Sequence, residues 1–334
     1  MMGREEDKAI TPGDGFAAQV EKLRRAAPSL HDKLDQARVA SWRAELEASP
    51  PLDHDDFGSE ESGGRGESYL RAQISNSQAR STGITHLLSL IRRNPAGFTT
   101  IVDLLGGDGL VHRVCAENGV PDLEIMTCDA SPHMIRAAWS MGIPALLQRA
   151  ERQLFESESL DGVLLAYGTH HIPPDLRSKA VAESFRVLSA AGTFVMHDFE
   201  VGSVVDTWFT TIVDHYSRTG HRYRHFTTDE IHEYMLKAGF AECELLEIHD
   251  PYVGIGVTPR AAERAVGEYL VNMYGLSNAC DALGEEEAAH WAVREARQIF
   301  QYPDGLQTTV QQLADDRWMM TIPRIAIVGV GRKL

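Results

Sequence analysis

From residue 99 onward the chain alternates short, nearly continuous apolar runs with stretches whose apolar residues recur every three or four positions. Short runs bounded by turn residues predict strands covered on both faces, and the periodic stretches predict the helices that cover them. The pattern places strands at 99–105, 123–129, 144–147, 161–167, 193–196, 243–249 and 325–330. Helices are expected from Ser131-Pro132 to Ser140, over 176–188 and 204–217, and from the cap Thr227-Thr228-Asp229-Glu230 to Ala238. Proline suits a first helical turn, where its missing N–H has no partner to lose. This alternation predicts an α/β fold over residues 98–334: a Rossmann-like, mostly parallel seven-stranded sheet with helices on both faces.

Two regions depart from that rhythm. Residues 1–97 read as a helical N-terminal extension, with apolar periodicity over 16–23, 29–46 and 68–93 and Ser29 as the second helix's N-cap. Residues 1–15 are expected to be mobile. Ser49-Pro50-Pro51 ends the second helix, and 49–67 is Asp, Glu, Gly and Ser with little to bury, a flexible loop by composition. The extension reads as a substrate lid, a dimer interface or a packing appendage. The second departure is an excursion over about 250–317, helical in pattern at 259–274 and 285–300, just before the last strand. Insertions that long are uncommon without a function, so it reads as a helical substrate-binding insertion.

Composition narrows the class. No apolar run approaches the roughly 20 residues a membrane-spanning helix needs, and the N-terminus carries no apolar signal-peptide core. Cys115, Cys128, Cys243 and Cys280 lie far apart without C-x-x-C spacing, which suits reduced thiols in a cytoplasmic protein. A net charge of −16 argues against nucleic acid, whose phosphates need a basic face.

The chemistry centres on Val102-Asp103-Leu104-Leu105-Gly106-Gly107-Asp108-Gly109. An apolar strand carrying an acid, a glycine turn and then a helix is how α/β sheets hold nucleotide-like ligands. Glycines admit the ligand close to the backbone, and the helix start offers free N–H groups. The spacing is not G-x-G-x-x-G, which argues against a nicotinamide dinucleotide.

Together with Asp129, the loop after strand 161–167 and the turn Ala238-Gly239-Phe240, this stretch resembles the class I S-adenosylmethionine-dependent methyltransferases over about 99–249 plus the last strand. That family carries D-x-G-x-G-x-G. Asp103, Gly107 and Gly109 fall in register with it, Leu105 replaces the first glycine, and Gly106 lies within the turn. The resemblance implies that Asp103 and the glycine loop hold the methionine end of S-adenosyl-L-methionine. It also implies that Asp129, followed by Ala130, accepts hydrogen bonds from both ribose hydroxyls, a role for a carboxylate with two acceptor oxygens. Gln148-Arg149-Ala150-Glu151 stands where many members place an acid near the adenine. His170-His171 stands where many carry a His-His pair beside the methyl group, as a base or as a shaper of the pocket.

Histidines mark the carboxyl ends of several expected strands: His170 and His171 after the fourth, His197 with Asp198 at the fifth, His249 with Asp250 at the sixth, and His290 on the insertion. No H-x-x-x-H spacing joins these, but one rim of His, Asp and Glu fits a borderline metal, iron or zinc, divalent or trivalent. The Gly168–Pro173 loop, His197-Asp198 and the insertion also resemble a subgroup that methylates the β-carbon of α-keto acids with a bound metal. A carbon beside a ketone must lose a proton before it attacks, and a chelated ion stabilises the resulting enolate. On that resemblance His249 and His290 are the expected metal ligands. His171, His170 and Tyr167 are the expected catalytic groups, and Asp250, His197 and Arg224 the substrate contacts. The expected protein is a cytoplasmic homodimer acting on a small molecule in specialised biosynthesis, with no nucleic-acid or membrane partner. Competing readings are a metal-independent O- or N-methyltransferase of a small metabolite, and a protein that binds S-adenosylmethionine without transferring methyl.

Overall fold

The computed structural model describes residues 12–48, 55–91, 99–120 and 123–334. Its frame is a seven-stranded sheet built from β1 (Thr99–Leu104), β2 (Leu123–Asp129), β3 (Ala145–Leu147), β4 (Leu160–Leu165), β5 (Leu188–Asp198) and β6 (Glu242–His249), plus the chain's last strand. Three further strands, β7 (Tyr252–Gly256), β8 (Thr309–Gln312) and β9 (Trp318–Ile322), precede that last strand, β10 (Ile325–Arg332). The main order is β3-β2-β1-β4-β5-β10-β6, parallel from β3 through β5, with β10 antiparallel to both its neighbours. Chain order reverses between β1 and β4, the switch point at which open α/β sheets hold ligands beyond their carboxyl ends.

Alternation along the strands divides the core between two faces. Ile101, Val195, Val328 and Val330 bury on one side, with the helices of the insertion. Val102, Leu104, Phe194 and Met196 bury on the other, with Phe16, Leu23, Leu30 and Trp42 of the N-terminal helices. The expected Rossmann-like α/β architecture is therefore the observed one.

Several expected boundaries move. Residues 12–15 begin the helix Pro12–Ala26 rather than a mobile tail. The rest of that expected tail, 1–11, lies outside the described residues, as do 49–54 with the expected Pro50-Pro51 stop, and Arg92-Arg93. The helix expected over 29–46 divides into Pro28–His31 and Gln36–Ala48, because Leu34 forms a β-bridge with Phe155. Asp35 then caps the second piece, its Oδ1 accepting from the backbone of Ala37 at 2.9 Å and of Arg38 at 3.1 Å. Ser29 does not cap; Ala27 holds that position. The helix expected over 68–93 likewise breaks after Ser75, where the Asn76 side chain donates to Val253 O at 2.9 Å.

Residues 55–67, expected as part of a flexible loop, are folded. They turn through the 3-10 helix Glu60–Ser62, and the backbone N–H of Gly66 donates to Gly58 O at 2.8 Å. The excursion is not purely helical either. β7, β9 and β8 form a small antiparallel sheet, with β7 flush against the helix Pro259–Tyr274. A Cβ on Gly254 would lie 2.5 Å from Val266, and one on Gly256 2.4 Å from Ala262 N. Among the described residues no helix is long and apolar enough to cross a membrane, and none of the four cysteines forms a disulfide.

Candidate active site

A cavity of about 360 Å³ opens at the β1/β4 switch point. The glycine turn forms one wall. Leu105 and Gly107 take positive φ, +59° and +57°, and Gly109, at +83°, caps the helix Leu110–Glu117. Leu105 thus holds the left-handed backbone that a glycine would adopt without strain. Tight spacing explains the neighbouring glycines. A Cβ on Gly106 would lie 2.6 Å from Asp103 Oδ2, and one on Gly109 2.8 Å from Ile143.

Asp129 ends β2 on the same wall, with Ala130 beside it. Its Oδ2 accepts from Gly107 N at 2.9 Å and its Oδ1 from Ser131 N at 2.8 Å, so the carboxylate is fixed against the turn. Burial pushes this carboxyl up to about 6, with Asp55 adding to the rise and the backbone donors of Ser131 and Gly107 opposing it. Arg149, Ala150 and Glu151 continue the wall beyond Asp129, where the sequence expected the adenine end.

Asp103 lies beneath the turn, 2% exposed, and its Oδ2 has no hydrogen-bond partner among the described residues. Burial, then the charges of Asp129 and Asp108, raise its carboxyl well above the usual range; Arg80 acts in the opposite sense. Arg80 is itself buried at 5%, stacks over the Tyr167 ring at 4.6 Å, and leaves Nε without a partner. No motif advertised Arg80, which comes from the N-terminal extension.

That extension supplies the opposite wall through Asp55, Asp56, Phe57 and Tyr69. Ser131 Oγ donates to Asp55 Oδ2 at 2.7 Å, the Tyr223 hydroxyl donates to Asp56, and the Phe57 ring meets Tyr69 edge-on at 5.3 Å. The extension therefore contributes part of the cavity wall.

Tyr167 and His171 line the inner end. The Tyr167 hydroxyl donates to Asp250 Oδ1 at 3.0 Å, and burial followed by the Asp250 charge holds the phenol well above its ordinary range. Tyr167 is therefore a fixed donor rather than a base. His171 Nδ1 stands 3.6 Å from Asp56 Oδ2. Burial first, then the neighbouring histidines and Arg65, hold this ring well below the usual imidazole range, so it is a neutral acceptor.

The other expected residues sit elsewhere. His170 is buried off the cavity wall, its Nδ1 3.0 Å from both oxygens of Asp198. Burial works against the Asp198 charge, but His170 and the backbone of Phe199 bring this carboxyl down to about 2. His197 and Asp250 were expected to meet substrate. Both are fully buried, 3.4 Å apart, and Asp250 is neutralised by Arg324 Nη2 at 2.6 Å. That pair braces the sheet behind Tyr167 and offers no free carboxylate. Arg224 is exposed and paired with Glu230 at 2.6 Å, outside the cavity, because it points away from the segment that carries Tyr223 into it.

The expected metal pair is not brought together. His249 is exposed at the end of β6, in register with Ile325, and has no side-chain partner among the described residues. His290, on the helix Glu285–Ile299, lies 4.0 Å from Glu263 in a surface depression with Arg260 and Glu287. Neither lines the cavity, since the insertion packs its helices beside β7 instead of returning His290 over the strand ends. The histidines that do converge with His170 are His221 and His225. Their H-x-x-x-H spacing is a legible signal that a search confined to strand ends passes over.

Residues 102–196 match a family model described as a methyltransferase domain. That match runs from β1 into β5 and takes in the glycine turn and Asp129, so these residues carry a methyltransferase domain. No curated protein matches the chain. Among solved structures it is similar to a Thermotoga maritima S-adenosylmethionine-dependent methyltransferase described as a possible histamine N-methyltransferase. That similarity is at 16% identity and TM-score 0.47, over 80% of this chain and 96% of that one. A putative methyltransferase of Bacillus halodurans aligns at 15% identity and TM-score 0.45, over 75% of this chain and 99% of that one. A Haemonchus contortus phosphoethanolamine N-methyltransferase 2, in complex with phosphomonomethylethanolamine and S-adenosylhomocysteine, aligns at 18% identity and TM-score 0.47, over 75% of this chain and 52% of that one.

Proposed function

We propose that the cavity at the β1/β4 switch point binds S-adenosylmethionine and that the protein methylates a small molecule held between His171 and the 55–69 lid. The observation that carries this is a pair of buried, incompletely partnered groups just behind the cavity wall, Asp103 beneath the glycine turn and Arg80 against the Tyr167 ring. The methionine end of the cofactor carries an ammonium and a carboxylate, the complement of those two groups. At the other end Asp129, already fixed by Gly107 and Ser131, keeps acceptor capacity for two ribose hydroxyls. When bound, the cofactor supplies an electrophilic methyl on a sulfonium centre.

The chain's own part is positioning and proton removal. Tyr167, held by Asp250, fixes the floor, and Asp56 and Phe57 close the cavity against water. His171 takes the acceptor's proton at a ring nitrogen, and Asp56 at 3.6 Å stabilises the imidazolium that results. The acceptor class we infer is an α-keto acid, methylated at its β-carbon through an enolate. The net charge of −16 and the cavity's volume of about 360 Å³ favour a small acceptor over nucleic acid or a membrane surface. A cytoplasmic homodimer belongs to the same reading.

The test is incubation with S-adenosylmethionine and a panel of α-keto acids, following S-adenosylhomocysteine release and the methylated product. A β-methylated keto acid is expected, with His171→Ala lowering kcat by about 10²–10⁴ while cofactor affinity stays within a few-fold. S-Adenosylhomocysteine release only with hydroxyl or amine acceptors would refute the acceptor class; no release with any acceptor would refute methyl transfer itself.

A further inference from the structure

Packed against His171, but off the cavity wall, is a second group of imidazoles. The rings of His170 and His221 lie 4.6 Å and 5.5 Å from that of His171. His170, His221 and His225 are 4%, 5% and 0% exposed, and each offers a ring nitrogen within 4.8 Å of the other two.

Carboxylates orient two of the three. Asp198 faces Nδ1 of His170 at 3.0 Å, and Asp206 Oδ1 faces Nδ1 of His225 at 2.6 Å. A carboxylate only accepts, so each Nδ1 carries the proton and each Nε2 is left as the lone-pair nitrogen. Nε2 of His225 and both ring nitrogens of His221 have no hydrogen-bond partner among the described residues.

Leaving buried acceptors without donors is costly. Neutral rings packed only for their apolar faces have no reason to aim such atoms at one point. The backbone is nevertheless built to hold them there. Arg177, 2% exposed, donates to His170 O at 2.9 Å and to Arg224 O at 2.7 Å, tying together the two segments that carry His170 and His225. Asp214 Oδ1 accepts from His221 N at 2.8 Å. A π-helical turn at Phe209–Val213 sets the Phe209 ring 4.2 Å from that of His221; such turns are frequent at functional sites.

We propose that His170, His221 and His225 form a site for one divalent transition-metal ion of the zinc or iron(II) kind. Three imidazoles suit such an ion, and the two carboxylates behind them, Asp198 and Asp206, balance its charge and fix its ligands' tautomers. Bonds of about 2.0–2.1 Å place tetrahedral ligand nitrogens roughly 3.4 Å apart, so binding draws the three rings together by about 1 Å. A tetrahedral ion held by three imidazoles keeps a fourth position for a water. Binding is independent of the acceptor's identity and of the function proposed above.

The experiment adds zinc or cobalt(II) alone to chelator-treated full-length protein. The expected result is one bound ion per chain, visible d–d absorption from tetrahedral cobalt, and a higher Tm with zinc. His221→Ala abolishes the cobalt spectrum. Asp206→Asn, which keeps the shape of the side chain, weakens affinity by about 10–100-fold. His249→Ala and His290→Ala leave both readouts unchanged. Absence of stoichiometric binding, or binding lost in His249→Ala or His290→Ala but kept in His221→Ala, would overturn the site. A parallel titration with S-adenosylmethionine keeps this outcome separate from failure of the methyltransferase reading.

Discussion

Leu105 and Tyr167, just beyond the ends of the adjacent strands β1 and β4, both hold the left-handed backbone, at φ +59° and +60°. Both line the cavity, and a Cβ on Gly168, next to Tyr167, would lie 3.7 Å from Leu105 Cδ1. Such a conformation costs a residue with a Cβ about 1–2 kcal/mol, and strain of this kind gathers at functional sites. It persists here because strand pairing on either side fixes both turns.

Replacing Leu105 by glycine removes that strain but also apolar contact and chain stiffness. The expected net change in unfolding free energy is within about 1 kcal/mol, with cofactor binding kept. Leu105→Val puts a β-branched residue at positive φ and is expected to cost about 1–2 kcal/mol more than glycine. Urea denaturation of the two variants checks the order; valine more stable than glycine would mean that the turn is not strained.

The carboxyl of Asp129 sits at about 6 in the folded chain, against roughly 3.9 when unfolded. A folded pKa above the unfolded one stabilises the empty protein at low pH, and that contribution is lost as pH rises through about 6. Ribose hydroxyls need the ionised form. The Tm gain from saturating S-adenosylmethionine is therefore expected to grow from pH 5 to pH 7 and then level off. A gain that is flat, or larger at pH 5, would show that the cofactor does not meet an ionised Asp129.

Asp250 and Arg324 form a buried pair at 2.6 Å, and removing one member of such a pair usually costs about 3–5 kcal/mol. Arg324→Met is expected to destabilise by that order. Asp250→Asn should lower Tm while S-adenosylmethionine affinity changes by less than about threefold, a change of under 1 kcal/mol. An Asp250→Asn protein with normal Tm but a greatly raised substrate KM would return Asp250 to the substrate-contact role that its burial argues against.

The strands of the main sheet were legible because residues such as Ile101-Val102 and Val163-Leu164-Leu165 are buried on both faces and leave continuous apolar runs. β8 was not, since all four of its residues are exposed and carry no alternation. Gly107 was legible because a tight turn at positive φ favours glycine, and Asp129 because of the resemblance to a methyltransferase strand end; both stand on the cavity wall. Asp55 to Phe57 read from the sequence as part of a flexible loop, since a segment that lines a polar cavity has the composition of a loop. The metal ligands assigned to His249 and His290 failed for a different reason. Position at a strand end says which rim a residue occupies, not which way its side chain faces, and His249 at the end of β6 is exposed while its neighbours Ile248 and Asp250 are buried.

The cofactor assignment is open to one direct measurement, isothermal titration of the full-length protein with S-adenosylmethionine and, separately, with NAD. One molecule of S-adenosylmethionine per chain and no NAD are predicted. Asp129→Ala is predicted to weaken affinity by about 100-fold, since hydrogen bonds to a charged group are worth about 1.5–3 kcal/mol. Binding of NAD, or unchanged S-adenosylmethionine affinity in Asp129→Ala, would contradict the account.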